Sequence, residues 1–209
     1  MAFGLAPPAP RRSRSDFVVT ASNAYALSTL SQWLCSDHPL LAVVGPAASG
    51  KTHVLAIIAE EKGASAGSSR VEIHDNIDKN YTALEILSRI ERARERGQRL
   101  AIAGRGAPLE WARGLRDLET RLSTAARIDL SEPDDTLIEA IVLKLLRDRQ
   151  LRAGRGLAAY AAARLPRTFA AAQAFVDALD AQSLAEGAPA GLRIAKNVIA
   201  NLSEEPPAS

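Results

Sequence analysis

Aromatic residues make up only 4% of this 209-residue chain. Its core cannot be built on rings and must be filled by alanine, leucine, isoleucine and valine. Hydrophobic residues at 47% are enough for one large domain, or one domain with a small appendage. The single cysteine, Cys35, excludes an internal disulfide and points to a reducing compartment. It follows Trp33 and Leu34 on a helical pattern and reads as a small apolar filler rather than a nucleophile. No apolar run approaches the roughly 18 residues of a membrane span. His38, His53 and His74 lack the spacing of a metal site. Neither sign of charge dominates: the formal net charge is +2. That argues against a dedicated nucleic-acid binder while leaving room for a local basic patch. Arg11, Arg12 and Arg14 near the start are followed by no apolar stretch, so the segment is not read as a signal peptide and the cytoplasm is the expected location.

Against these absences stands one run with a specific chemistry. Leu40-Leu41-Ala42-Val43-Val44 is a short apolar strand that feeds Gly45-Pro46-Ala47-Ala48-Ser49-Gly50-Lys51-Thr52, a Gly-x-x-x-x-Gly-Lys-Thr loop, and His53 opens a helical stretch after it. A polyphosphate needs backbone N–H groups aimed at its oxygens, a flexible cation and a hydroxyl for Mg²⁺. Gly45 and Gly50 allow the tight turn, and the amides of Ala47 to Lys51 can cradle phosphates. Lys51 can reach the β- and γ-phosphates, and Thr52 can hold the metal. At ordinary residue frequencies the pattern arises by chance in about 1% of chains of this length or fewer.

The rest of the chain divides by pattern. Residues 1–15 hold Pro7, Pro8 and Pro10 beside the arginines and read as a flexible tail. Helical spacing runs from Ser22 to Ser36, with Ser22-Asn23 at the N-cap position. After strand 40–44 and a helix over 52–62, residues 63–69 read as a loop. The pattern predicts strands over 70–75, 99–103 and 127–130 and helices over 82–96 and 114–122. Alternation of this kind predicts a three-layer α/β domain with a parallel sheet over residues 16–131. Past Pro133 only helical periods remain, over 134–149, 155–165, 168–186 and 192–202. They predict a small all-helical unit over 132–203, followed by a disordered tail at 204–209. No repeat of fixed period is present.

A phosphate-binding loop of this type works with an acid at the tip of a second strand, which holds Mg²⁺ through water. Asp75 is the good candidate, at the end of Arg70-Val71-Glu72-Ile73-His74-Asp75. The next residue, Asn76, can orient water by hydrogen bonds but cannot take a proton. The bland alternative is a strand followed by a polar Asn-Ile-Asp turn. The alternating charges of Glu91 to Arg96 read as a solvated helix face.

Taken together, several segments resemble the AAA+ ATPases, and within them the DnaA branch and its Hda-like regulatory inactivators. They are Asp16-Phe17-Val18-Val19 with Ser22-Asn23, the Gly45–Thr52 loop with His53, Asp117-Leu118-Glu119-Thr120-Arg121-Leu122, Glu132-Pro133-Asp134-Asp135, and Lys144-Leu145 through Asp148-Arg149-Gln150. The resemblance covers roughly residues 15 to 200. It implies an α/β P-loop core with a helical lid, ADP or ATP with Mg²⁺ as ligands, and a DnaA-type initiator protein as partner. Phe17, Val18, Val19 and Asn23 would lie near adenine. Arg121 would match the arginine finger that reaches the γ-phosphate held by a neighbouring subunit. Arg167, in Leu165-Pro166-Arg167-Thr168-Phe169, would match the lid arginine called sensor 2. Without the resemblance, both arginines read as solvated surface residues.

The departures from the family pattern are as informative. Too few residues separate Lys51 from Asp75 for the usual second strand and helix, so the sheet is expected to be shortened. Asn76 replaces the expected second acid, and Ala103 stands where a polar sensor 1 is usual, so weak or absent self-catalysed hydrolysis is expected. Met1 to Pro7 holds only a vague echo of a sliding-clamp motif, without its glutamine. After the lid-like segments no DnaA-like DNA-binding domain is expected. The resulting reading is a nucleotide-binding regulator of replication initiation that places Arg121 beside ATP held by DnaA. The alternatives are a degenerate paralogue that binds nucleotide and partner without stimulating hydrolysis, and a self-sufficient P-loop ATPase. A homodimer and sliding-clamp binding are left open.

Overall fold

The structure, a computed structural model, describes residue 14, residues 17–63 and residues 70–204. Residues 1–13, with the Met1–Pro7 segment, residues 15–16, 64–69 and 205–209 lie outside the described residues. Along the chain run α1 (Ala24–Cys35), β1 (Leu40–Val44), α2 (Lys51–Gly63), β2 (Val71–His74), α3 (Ile77–Asn80), α4 (Ala83–Glu95), β3 (Arg99–Gly104), α5 (Pro108–Trp111), α6 (Arg116–Ser123), β4 (Ala126–Asp129), α7 (Asp135–Asp148), α8 (Leu157–Ala162), α9 (Phe169–Glu186) and α10 (Leu192–Glu204).

The four strands form one parallel sheet in the order β2-β3-β1-β4. Every residue of β1 and β3 is buried, as expected for central strands covered on both faces. Alternate residues serve opposite layers. Leu41, Val43, Ala101, Ala103 and Ile128 pack against α1 and α2, around Leu30, Trp33, Ile57 and Ile58. Leu40, Ala42, Leu100 and Ile102 pack on the other face against Ile86 and Ile90 of α4 and Leu118 and Leu122 of α6. The core is aliphatic, as the scarcity of rings requires. Among the described residues the sheet has four strands, in agreement with the shortening expected from the Lys51–Asp75 spacing.

Helices α7 to α10 bury their apolar faces on one another around Ile138, Val142, Phe175, Val176 and Ala195, a cluster separate from those of the sheet. Val18 packs against this cluster and Phe17 against the sheet layer, so adjacent residues of the entry segment touch both cores.

Asn23 is at the N-cap of α1, as expected, but makes no side-chain cap bond. Its amide instead accepts from the Thr20 N–H at 2.9 Å and donates to the Val18 carbonyl at 2.8 Å, pinning the entry segment. Cys35 is exposed rather than a core filler, because the buried face of α1 runs through Ala26, Leu30, Trp33 and Leu34 and the next residue rotates outward. The polar turn after Asp75 contains a single helical turn, α3, entered through Asn76 in the left-handed region at φ 52°.

Candidate functional site

Strand β1 lies inside the sheet with β3 on one side and β4 on the other, so the chain leaves its carboxyl end at a point where neighbouring connections diverge. Crevices of parallel sheets open at such points. The Gly45–Thr52 loop occupies this one. Gly45 is required by close approach: a Cβ there would stand 2.5 Å from Ser49 Oγ and 2.6 Å from the Leu130 carbonyl oxygen. Gly50 is at φ 97°, which side chains rarely adopt. Lys51 opens α2, and the amides of His53 and Val54 both bond to the Gly50 carbonyl.

The Lys51 ammonium is folded back on its own loop, donating to the carbonyl of Gly45 at 2.8 Å and to that of Pro46. Lys51 is only 7% exposed. Burial holds its pKa below the ordinary lysine value, and the positive charge of Arg105 adds to the depression, while Asp75 and Asp78 oppose it. Next to it, the Thr52 hydroxyl donates to Asp75 Oδ2 at 2.5 Å. The other carboxylate oxygen accepts from the Asn76 N–H at 2.7 Å. Asp75 is therefore brought from a separate strand to the phosphate-loop hydroxyl, as the sequence led one to expect.

These groups open into a cleft of about 340 Å³, within the range of small-molecule sites. Ala47 to His53, Asp75, Asn76 and Arg105 line its polar end. Phe17, Val18 and Asn23 line the apolar end, and the helical unit closes over it with Pro133, Leu137, Ile141, Phe169 and Ala170. The ring of Phe17 meets His53 edge to face, with centroids 5.1 Å apart.

The residues fit a nucleoside polyphosphate. The loop is a cradle too close for a side chain at Gly45, it carries a buried cation, and Ser49 Oγ is buried without a hydrogen-bond partner. The Thr52 hydroxyl and the Asp75 carboxylate supply the oxygen pair through which Mg²⁺ is usually held alongside phosphate and water.

Not every expected residue joins this group. Gly45 and Pro46 support it as acceptors for Lys51, and Val19 points outward at 55% exposed. Arg167 stays outside the lining: its Nε donates to Asp135 Oδ1 at 2.9 Å, and Phe169 and Ala170 form the lid side instead. Arg121 is remote from the cleft on α6, where its Nε donates to Glu91 Oε1 of α4 at 2.9 Å. Ala103 is fully buried in the sheet layer and offers no polar group to the cleft. Arg105, two residues further along, does line it and was not singled out from sequence. The available signal was a basic residue one position past a buried strand.

A parallel sheet with a phosphate loop on an internal strand and a helical unit closing over it is the AAA+ fold. The particular structures with this fold include domain III of the replication initiation protein DnaA from Thermotoga maritima, at TM-score 0.76 and 14% identity over 96% of this chain and 100% of that one. The Holliday junction branch migration motor RuvB of the same organism aligns at 0.71 and 16% identity, covering 93% of this chain and 73% of that one. AMPPCP-bound DnaA from Aquifex aeolicus aligns at 0.65 and 14% identity, covering 82% and 66%. No protein-family model matches the chain, and no curated protein does.

Proposed function

We propose that this chain binds ADP or ATP with Mg²⁺ and regulates replication initiation by contact with a DnaA-type initiator. The observation that carries the nucleotide part is the convergence of Lys51, Thr52 and Asp75 at one end of a cleft whose other end is apolar. The fold shared with DnaA domain III, and the AMPPCP in a structure of that fold, support the same reading. Lys51 would leave its two loop carbonyls for the phosphates. Phe17, Val18 and the lid residues would exclude water from the base.

The regulatory part rests on the resemblance of the Asp117–Leu122 segment. Leu118 and Leu122 share the buried face of α6, which leaves Arg121 at its edge, 40% exposed as a side chain. From there a guanidinium can fork onto a neighbour's γ-phosphate and offset transition-state charge. Its present partner, Glu91, would have to release it. If it does not, the chain is a paralogue that binds nucleotide and partner without stimulating hydrolysis, and the Arg121–Glu91 bond favours keeping that second reading.

The test is ATP turnover by a DnaA-type initiator with and without this chain. Stimulation by the wild type that is lost in both Arg121→Ala and Arg121→Lys, with each variant's own nucleotide affinity intact, is the expected result. Lost affinity with intact stimulation refutes the trans-acting role.

A further inference from the structure

We propose that the helical unit carries a binding surface for single-stranded nucleic acid, built from the α7–α8 loop and the outer face of α8 and separate from the nucleotide cleft. The segment from Lys144 to Arg164 holds Lys144, Arg147, Arg149, Arg152, Arg155 and Arg164 against the single acid Asp148. The chain as a whole has a net charge of only +2, so the remainder is net negative. A local excess of this kind is how a balanced chain attracts a polyanion. Two of these cations are engaged within the protein: Lys144 donates to Asp148 at 2.6 Å, and Arg149 donates to Asp177. Arg147, Arg152, Arg155 and Arg164 are exposed, and among the described residues they form no ion pair.

The backbone fixes where these guanidinium groups stand. α7 is closed by Gln150 in the left-handed region at φ 57°, and the Leu151 N–H returns to the Leu146 carbonyl at 2.9 Å. Leu151 packs on the helical core. On the other side of the loop, the Leu157 N–H donates to the Gly154 carbonyl at 3.3 Å as α8 begins. Arg152 and Arg155 therefore stand on a short loop anchored at both ends, with Arg147 before it in the last turn of α7. Along α8, Leu157, Ala158, Ala161 and Ala162 are buried. The outer face offers Ala159 and Ala163, too small to keep a sugar–phosphate chain away, with Tyr160 and Arg164 one turn apart beside them. The Arg164 guanidinium lies 3.9 Å over the Tyr160 ring and donates to the Tyr160 carbonyl at 3.2 Å. The other face of that plane can take an unpaired base, which a single strand offers and a duplex does not. The cleft meets the helical unit through Leu137, Ile141, Phe169 and Ala170, in the amino halves of α7 and α9, whereas Arg147 to Arg155 lie at and beyond the carboxyl end of α7. A membrane fits less well, because no large apolar side chain between Arg147 and Arg164 is exposed to enter it.

The experiment measures fluorescence anisotropy of a labelled oligothymidylate of about 16 nucleotides with the full chain, across a salt series. Single-strand affinity falls with salt at a log–log slope of about −0.7 per neutralised phosphate, so four arginine contacts predict about −3. Arg152→Gln combined with Arg155→Gln should weaken binding at least about tenfold and make the slope shallower by about 1.4. Arg147→Gln should make it shallower by about 0.7, and it carries the test if the double variant does not fold. Arg164→Lys keeps the charge but loses the plane, so affinity should fall while the slope holds. No binding of the oligonucleotide at about 50 mM salt, or variants that bind as the wild type does, overturn the inference. Equal or tighter binding to a duplex of the same length, to polyglutamate or to vesicles of anionic phospholipid also overturns it, in favour of a duplex, an acidic protein or a membrane on this surface.

Discussion

Lys51 is a buried cation held at some cost to the free protein. Burial depresses its pKa from the ordinary 10.5, so between the lowered value and 10.5 the unfolded chain holds more proton than the folded one. Stability of the nucleotide-free chain should therefore rise with pH through that window. Denaturation of wild type and Lys51→Met as pH rises toward 10.5 checks this: wild type should gain stability relative to the variant, which lacks the titrating group. Lys51→Ala should also abolish the stabilisation that nucleotide confers, which mass action sets at about 2.7 kcal/mol for a hundredfold excess over Kd. Arg121 is the opposite case. Its bond to Glu91 joins two part-exposed side chains, and such pairs contribute roughly 0–1 kcal/mol. Arg121→Ala should melt within a few degrees of wild type, which separates a lost contact with a partner from a folding defect. Lys51 and Thr52 were legible from the sequence because the loop is contiguous. Arg105 was not, because its neighbours in the cleft come from other strands.

Among the elements, α4 shows how local chemistry marks a boundary. Thr82 and Glu85 form a reciprocal capping box, with Glu85 Oε2 accepting from the Thr82 N–H at 2.7 Å and Thr82 Oγ1 accepting from the Glu85 N–H at 3.3 Å. Thr82→Ala should cost about 1 kcal/mol, readable in chemical denaturation. The bonds from Thr82 hold the Glu85 pKa below its ordinary value. The stabilisation from ionised Glu85 is therefore complete above that value and is lost as pH falls through the lowered one. Glu85→Gln should remove this part of the acid dependence, as denaturation between about pH 2 and 6 would show. Periodicity located β1 and α4 well because caps and apolar spacing agree there. It missed α3 and α5, four residues each, because one helical turn is too short to show a period.

At the scale of the molecule, two separately packed cores face each other across the cleft. Phe175 is fully buried at the centre of the helical one, and Phe175→Ala should cost about 3–5 kcal/mol. Because that core is its own cluster, Phe175→Ala should raise hydrogen exchange in α7 to α10 more than in the sheet. Closure of the cleft does not by itself make an ATPase. Asn76 cannot take a proton, and Ala103 is sealed in the sheet. Turnover of ATP by the isolated chain should stay below about 1 s⁻¹; a faster rate would show that another group poises the water.

The sequence by itself determined the alternation of strands and helices, the change to helices alone after Pro133, and the phosphate loop with Asp75 at a strand tip. These are local patterns, written in residues close together along the chain or at the end of an apolar run. Only the tertiary structure decided which arginine meets the cleft. Arg105, Arg121 and Arg167 all look alike in sequence. Their roles depend on strand order, on the face each helix turns to its neighbour and on which carboxylate lies within reach. The order β2-β3-β1-β4 puts Arg105 beside the loop, while Glu91 and Asp135 hold the other two elsewhere.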